Sequence, residues 1–407
     1  MTDRLQPRDA REVGEAVQWA LANGKALEII GHGSKRAIGR PAQTDLTLDL
    51  SALSGVTLYE PEELVLSAKA GTPLKEITAL IAARGQMLAF EPMDYAALLG
   101  GPTDRATIGG VLAANLAGPR RIKAGAARDH FLGFSAVSGR GDTFKSGGRV
   151  VKNVTGYDLC KLMAGSWGTL AAMTEVTVKV LPQAETEETL AIAGLVERDA
   201  VAAMSAAMGA PCEVSAAAHL PPATAARLAG AAHAGRSLTA LRLEGVPASI
   251  AHRRRILEQL MQPYGDLAVH PAADSRALWR QVRDVTPFAA ARAGDRVIWR
   301  ISTAPAAGAE LGRMIGAEAD AEFLYDWAGG LVWVSLPAPD DAGANLVRRA
   351  VAACGGHATL IRAPASLRAA AAVFEPQEAA LAALTKRVKA SFDPSGVLNP
   401  GRMWAGV

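Results

Sequence analysis

The sequence predicts an α+β protein of two domains and a short C-terminal return. Three observations carry this prediction. The first 180 or so residues hold short apolar strand-like runs broken by glycine-rich turns. The middle alternates Ala-rich helical stretches with short strands, and the tail SFDPSGVLNPGRM, Ser391 to Met403, is rich in turn residues. At 407 residues and 50% hydrophobic content the chain is long enough for two cores. The expected divisions are 1–182, 183–365 and 366–407. The first falls near LPQAETEET, Leu181 to Thr189, where a strand ends in Pro182 and acidic residues cluster.

In chain order, the segment up to Lys25 reads as a polar start and an amphipathic helix, without the apolar core of a signal peptide. Apolar LEII, Leu27 to Ile30, leads straight into GHGSK, Gly31 to Lys35, as a short strand leads into a phosphate loop. Two glycines one apart permit a tight turn, and Ser34 and Lys35 add a donor and a positive charge. The loop has neither the GxxxxGK[ST] spacing nor a full GxGxxG, whose third glycine would fall on Arg36. PEELVLSAKAG, Pro61 to Gly71, alternates like a strand, and Thr72 to Arg84 reads as a helix with Thr72 at the N-cap and Pro73 at N1.

The run ATIGGVLAANLAG, Ala106 to Gly118, packs small residues where backbone must approach a bulky neighbour. Gly109 and Gly110 let N–H groups come close to a ligand, Ala113, Ala114, Ala117 and Gly118 keep the profile low, and Thr107 and Asn115 can donate hydrogen bonds. A small-residue helix packed on a sheet fits this run equally well. A further turn-prone patch, Gly165 to Thr169, precedes an alternating strand, Thr174 to Val180. Beyond it, helical Asp199 to Gly209 and Ala248 to Gln262 alternate with strands Ser237 to Gly245 and Arg296 to Thr303, and no internal repeat is visible.

The 43 basic and 40 acidic residues leave a net charge of +3, which demands no nucleic-acid partner. Cys160, Cys212 and Cys354 are far apart and odd in number, so they support neither a disulfide frame nor an iron–sulfur motif, and a reducing cytoplasm is expected. No apolar run approaches the length of a membrane span, so any contact with the inner membrane is expected through partners.

In order and wording, Gly31 to Lys35, Pro102 to Gly110 and Gly165 to Glu175 resemble the FAD-binding domain of the vanillyl-alcohol oxidase and p-cresol methylhydroxylase (PCMH) family. The ending, FDPSGVLNPG, resembles that of its 2-hydroxy-acid branch. KNVTGYDLCKL before GSWGTL, and CGGHATLIRAP, Cys354 to Pro364, narrow the resemblance to the smaller flavin-binding subunits of bacterial glycolate oxidases. The resemblance implies a two-subdomain PCMH-type FAD-binding domain, a ferredoxin-like α+β cap and a C-terminal segment that returns to the flavin domain.

It also implies a set of FAD contacts. These are Gly31, His32, Gly33, Ser34 and Lys35; Gly101, Pro102, Thr103, Thr107, Gly109 and Gly110; Ala114, Asn115 and Gly118; and Gly168, Thr169, Glu175 and Val176. The covalent histidine of some members falls where this chain has Ser34, so FAD is expected to be noncovalent. The implied partners are a larger FAD-binding subunit and an iron–sulfur subunit, with a small 2-hydroxy acid as the substrate of the complex.

Catalysis is where the resemblance and the residues part. Oxidising a 2-hydroxy acid on a flavin needs a base for the hydroxyl proton and cations for the carboxylate. Catalytic relatives draw the base and an associated metal site from HxGxGNxH and GEHGxG segments, and this chain has neither. His219, His233, His252 and His270 stand singly, without metal-ligand spacing, so no metal site is expected. His357 and Arg362 are the late candidates, as a flavin contact and a carboxylate clamp, against a plain strand position and an Arg on a sheet edge. Arg120, Arg121, Lys123 and Arg128 read either as an attraction for anions or as a solvated or subunit-contact loop. The expected function is therefore support of glycolate oxidation and electron flow, with no catalytic residue assigned. A self-sufficient 2-hydroxy-acid dehydrogenase and a non-catalytic scaffold remain open alternatives.

Overall fold

The structure is a computed structural model that describes residues 3–41, 43–148, 156–229, 235–290 and 296–407. Lys152 to Thr155 of the KNVTGYDLCKL motif, and His233, lie outside the described residues. Sequence and structure agree closely at the start. Helix Ala10–Ala22 begins at Asp9, whose side chain accepts from the Glu12 N–H, and buries Val13, Val17 and Ala20. It leads to strand Leu27–Ile30, which pairs in parallel with Leu46–Asp49; Asp3–Leu5 lies on the other side of that strand.

A five-stranded antiparallel sheet follows, in the order Val56–Glu60, Val65–Lys69, Ala171–Lys179, Phe131–Ser138, Thr143–Gly147. The expected strand Pro61 to Gly71 shortens to Val65–Lys69, and the helix begins at Leu74 rather than after Thr72. The reason is local. The Thr72 hydroxyl donates to the Lys69 carbonyl and accepts from the Gly55 N–H, so it holds a turn and cannot cap the helix. The small-residue run becomes helix Ile108–Ala114, capped by Thr107 and ended by Asn115 in the left-handed conformation.

The middle of the chain forms one eight-stranded antiparallel sheet with a topology that the sequence does not advertise. Thr186–Ala193, helix Glu197–Gly209, Ala216–Leu220, Leu238–Gly245, helix Pro247–Met261 and Leu267–His270 make a βαββαβ unit. Val297–Ser302, helix Gly308–Gly316, Glu322–Asp326, Leu331–Leu336, helix Ala344–Cys354 and His357–Arg362 make a second. Each has the ferredoxin-like strand order, four-one-three-two along the sheet in one and its mirror sequence in the other. The two meet through Ala216–Leu220 and Glu322–Asp326 at the single registered pair His219 and Tyr325. The fold therefore repeats where the residues do not, because alternation and length specify a βαββαβ unit without repeating side chains.

On strand Val297–Ser302 the alternation sorts the two faces. Val297, Trp299 and Ile301 pack under helices, whereas Ile298 joins the large core shared with Leu66, Phe134 and Val176 of the five-stranded sheet. That shared core seats the large sheet against the first 180 residues.

The tail then crosses back. Helix Ala379–Phe392 leads to a stretch in which Leu398 bridges Leu27 in parallel and the Asn399 side chain accepts from the Ile29 N–H at 2.9 Å. Among the described residues no helix is long and apolar enough to cross a membrane.

Candidate functional site

The end of strand Leu27–Ile30, the loop Gly31 to Arg36, helix Ile108–Ala114 and the turn Trp167–Gly168 line an open cleft. Its walls include Gly31, His32, Gly33, Ser34, Lys35, Thr107, Gly109, Gly110, Ala114 and Gly168 of the expected contacts. Ile29, Ile30, Leu50, Ala70, Ala171 and Met173 make the remainder largely apolar. The lining therefore combines polar, positively charged groups with an apolar surface suited to a flat, weakly polar group.

The hydrogen-bond donors are not where the small-residue run suggests. The Ile108 N–H donates to Thr72 O, Gly109 to Ala70 O, Gly110 to the Thr107 hydroxyl and Val111 to Thr107 O, so this helix start is already satisfied. By contrast, the backbone N–H groups of His32, Gly33, Ser34 and Lys35 meet no acceptor among the described residues. Four consecutive free N–H groups with Gly33 at φ +74° suit an anion held by backbone.

The glycines divide by what a Cβ would strike. At Gly109 it would lie 2.7 Å from the Ala70 Cβ, and at Gly31 2.5 Å from the Thr107 hydroxyl oxygen, so both serve the packing of loop, helix and strand. At Gly110 it would lie 3.0 Å from that oxygen and 3.6 Å from Lys35 Nζ, on the cleft side. At Gly168, itself at φ +74°, it would meet the Asn399 side chain at 2.7 Å.

Charge reinforces the polar part of the lining. Lys35 Nζ donates to Ser34 Oγ at 3.0 Å, has no ion-pair partner among the described residues, and is pushed by burial down to about 8. Arg402 reaches the same loop from the tail and donates to the carbonyls of Lys35 and Ile38, yet its buried Nε has no partner. Burial also lowers the pKa of His32, and its buried Nδ1 is likewise unpartnered. Two cations without an ion-pair partner among the described residues and an unpaired imidazole nitrogen, beside free N–H groups, fit a pyrophosphate, which brings negative charge and acceptors together.

Other expected contacts lie away from the cleft walls. Gly101, Pro102 and Thr103 occupy an exposed loop. Asn115 accepts from the Arg128 N–H, and Gly118 packs against Glu91 while its carbonyl accepts from the Trp327 indole. Thr169 offers its carbonyl to Lys389, Glu175 pairs across the sheet with Lys69 and Ser135, and Val176 is in the core.

Sequence reasoning did not single out Trp167, Met173 or Arg402, all of which line the cleft. Trp167, at φ +55°, is pinned through its N–H to Ala113 O and stacks edge-on against Phe374 at 5.7 Å. Its position inside the GSWGT turn and Arg402 inside NPGRM were the available signals.

The catalytic candidates separate clearly. Arg362 is no carboxylate clamp, because its guanidinium is spent on the backbone carbonyls of Leu98, Phe288 and Arg296. His357 is exposed on strand His357–Arg362. His219 is fully buried, with Nδ1 against Thr239 Oγ1 at 2.9 Å, and burial holds its pKa down to about 3. His252 and His270 belong to a helix and an edge strand of the large sheet.

The basic cluster splits as well. Arg120 joins a buried network with Glu91, Glu244 and Arg242, Lys123 pairs with Glu213, Arg128 with Asp129, and Arg121 lies over the Trp327 ring. Among the described residues no group of three or more His, Cys, Asp or Glu side chains is placed to hold a metal ion.

Comparison with known proteins places these observations. Residues 4–147 match the FAD binding domain family. The chain is 33% identical over 394 residues to the glycolate oxidase subunit GlcE of Escherichia coli K12, covering 96% of both chains. It is 29% identical over 187 residues to the glycolate oxidase subunit GlcD of Bacillus subtilis, covering 46% of this chain and 38% of that one. Among solved structures, 4-ethylphenol oxidase from Gulosibacter chungangensis superposes with a TM-score of 0.71 at 14% identity, over 99% of this chain and 89% of that one. P-cresol methylhydroxylase does so at 0.68 and 13%, over 99% and 88%, and both share the fold. With FAD as its cofactor, an α+β architecture of PCMH type and near full-length similarity to a glycolate oxidase subunit, the chain belongs to the GlcE family of flavin-dependent oxidoreductase subunits.

Proposed function

We propose that this chain is the FAD-carrying subunit of a glycolate-oxidising complex, joined there by a larger FAD-binding subunit and an iron–sulfur subunit. The observation that carries the proposal for this chain's own site is the cleft at Gly31 to Lys35, where free backbone N–H groups face two cations that have no acid partner. Bound FAD supplies a two-electron acceptor. The protein's part is to hold it: the loop N–H groups and Lys35 take the pyrophosphate, and Gly110, Ala113 and Ala114 allow close approach. Trp167, Met173 and Ala171 shield the flat portion from water. Gly109, Asn115, Gly118, Thr169, Glu175 and Val176 act in this reading by setting the backbone around the cleft. The functional units in this reading are 1–182, 183–365 and 366–407, the last completing the first.

Binding is noncovalent, with Ser34 at the position that carries the linkage in covalent relatives. The absent HxGxGNxH and GEHGxG segments support a role in holding FAD and passing electrons rather than in oxidising glycolate alone. The test is to purify the chain, precipitate it with acid and then mix a fresh sample anaerobically with glycolate. Flavin in the acid supernatant and an oxidised spectrum after mixing are expected. Stoichiometric bleaching by the isolated chain would establish a self-sufficient dehydrogenase, and a flavin-free protein would establish a scaffold.

A further inference from the structure

Asn399, in the returning tail, joins two sides of the cleft without lining it. Its side-chain oxygen accepts from the Ile29 N–H at 2.9 Å, and its side-chain nitrogen donates to the Trp167 carbonyl at 2.8 Å. Ile29 and Trp167 both line the cleft, one on strand Leu27–Ile30 and the other in the Trp167–Gly168 turn. Asn399 is fully buried and lies outside that lining. An N–H on one side and a carbonyl on the other fix which end of the amide is oxygen.

The residue is held by its own backbone as well. Its N–H donates to the Leu27 carbonyl at 2.9 Å and its carbonyl accepts from the Arg402 N–H at 3.2 Å, so it cannot slide along the strand. It takes φ +44°, a left-handed conformation that asparagine tolerates better than most side chains. Gly168 makes room for it: a Cβ there would lie 2.7 Å from the Asn399 side-chain nitrogen.

Beyond the turn, the Trp167 N–H donates to Ala113 O at 2.9 Å. Strand, Asn399, turn and helix Ile108–Ala114 are thus joined in series around the cleft. The link from turn to helix is backbone to backbone, whereas the link from strand to turn runs through one side chain. Few side chains can replace it. An ionised aspartate keeps the acceptor but sets a second oxygen against the Trp167 carbonyl, and glutamine is one carbon too long for two contacts fixed at both ends.

We propose that Asn399 is a positioning residue for the flavin cofactor, setting the spacing of Ile29 and Trp167 so that the cleft is shaped before the ligand arrives. This rests on the reading of the cleft as the FAD site. Losing the amide leaves the Ile29 N–H and the Trp167 carbonyl unpaired and frees the turn from the strand, so ordering them falls to the ligand and weakens its binding.

Titration of the flavin-stripped full chain with FAD, followed by flavin fluorescence at about pH 8 and about pH 5, tests it in the parent, Asn399→Asp and Asn399→Gly. At the higher pH both variants are expected to bind FAD about tenfold or more weakly than the parent. At the lower pH the new carboxyl takes up a proton, donates to the Trp167 carbonyl and still accepts from Ile29. Asn399→Asp should then recover to within about threefold of the parent, and Asn399→Gly should not. Lys389, Asp393 and Arg402, the charged groups bonded to this stretch of the tail, are common to all three proteins. The variant-to-parent ratio at each pH therefore removes their titration, and that of Lys35. An asparagine that served stability alone would give the same ratio at both pH values.

Glycine adopts a positive φ without strain, so Asn399→Gly supplies a folded comparison, and thermal melts of the ligand-free proteins report the fold of each. Parent-like affinity of a folded variant at the higher pH overturns the proposal, and so does a folded Asn399→Asp that shows no recovery at the lower one. A parent that takes up no FAD overturns the cofactor reading and this proposal with it, whereas the first two results leave the cofactor reading intact.

Discussion

Lys389 Nζ lies 2.6 Å from Asp393 Oδ2 and donates as well to the carbonyls of Thr169 and Leu398, so one buried ammonium clasps the tail to the flavin-domain turn. Asp393 completes the clasp by accepting from the N–H groups of Val397 and Leu398. Removing one partner strands the other in a dry site. Lys389→Met is expected to cost about 3 kcal/mol, the range for breaking a buried pair from one side. Chemical denaturation measures the loss, and FAD retention should fall with it because Thr169 adjoins the cleft turn.

The two central glycines of the small-residue run should fail in different ways. Gly109→Ala drives a methyl into Ala70 and is expected to lower stability by about 1–3 kcal/mol. Gly110→Val fills space beside Lys35 and should leave a folded protein that copurifies with little FAD. Flavin-to-protein absorbance ratios and thermal melts on both variants check this. Full flavin occupancy in Gly110→Val would remove that residue from the cofactor wall.

Lys35 gives the flavin affinity a pH dependence whose sign is fixed. Burial lowers its pKa from 10.5 to about 8 in the protein without ligand, and an anionic pyrophosphate favours the ammonium. Below about pH 8 the charge is present before binding. Above it a proton must be taken up, so affinity should fall as pH rises through about 8. The ligand-free protein shows the opposite slope, gaining stability between about pH 8 and 10.5 because the unfolded chain binds the proton more tightly. Both slopes should vanish in Lys35→Met, measured by FAD titration and by denaturation at stepped pH.

Asp326 titrates in the reverse sense. Its carboxyl is raised by burial from 3.8 to about 7, so its contribution to stability is present below about pH 4 and lost as pH rises through about 7. Asp326→Asn removes that slope and should make the protein relatively more stable at pH 8 than at pH 5, as parallel thermal melts would show. The Trp327 N–H keeps an acceptor in the amide oxygen.

Much of this was legible in the residues. LEII running into GHGSK marked both the strand and the loop that lines the cleft, because apolar runs and glycine pairs act locally. The helix at Ile108–Ala114 was also legible as a close-packing element, but not that its first N–H groups would be used internally. That depends on Ala70 and Thr72 arriving from a strand end some distance back in the chain. Arg362 lies on an edge strand, as the plainer of its two readings has it, but the three carbonyls from remote segments that converge on it are recorded in no spacing. The doubled βαββαβ topology stayed hidden because each half satisfies the same alternation with different side chains, and the seam between them rests on His219 and Tyr325 alone in register. Arg402 was passed over because a tail arginine acquires meaning only once NPGRM is folded against a loop near the start.

That last contact has a consequence for biosynthesis. Ile29 hands its N–H to a side chain 370 positions later, and Lys35 gives its carbonyl to one 367 positions later. The loop that cradles the pyrophosphate in our reading leaves the ribosome some 370 residues before the segment that completes its frame. In this reading flavin loading waits for that downstream segment, and a nascent chain stalled in the large sheet would present the loop without the arginine and asparagine that hold it in shape.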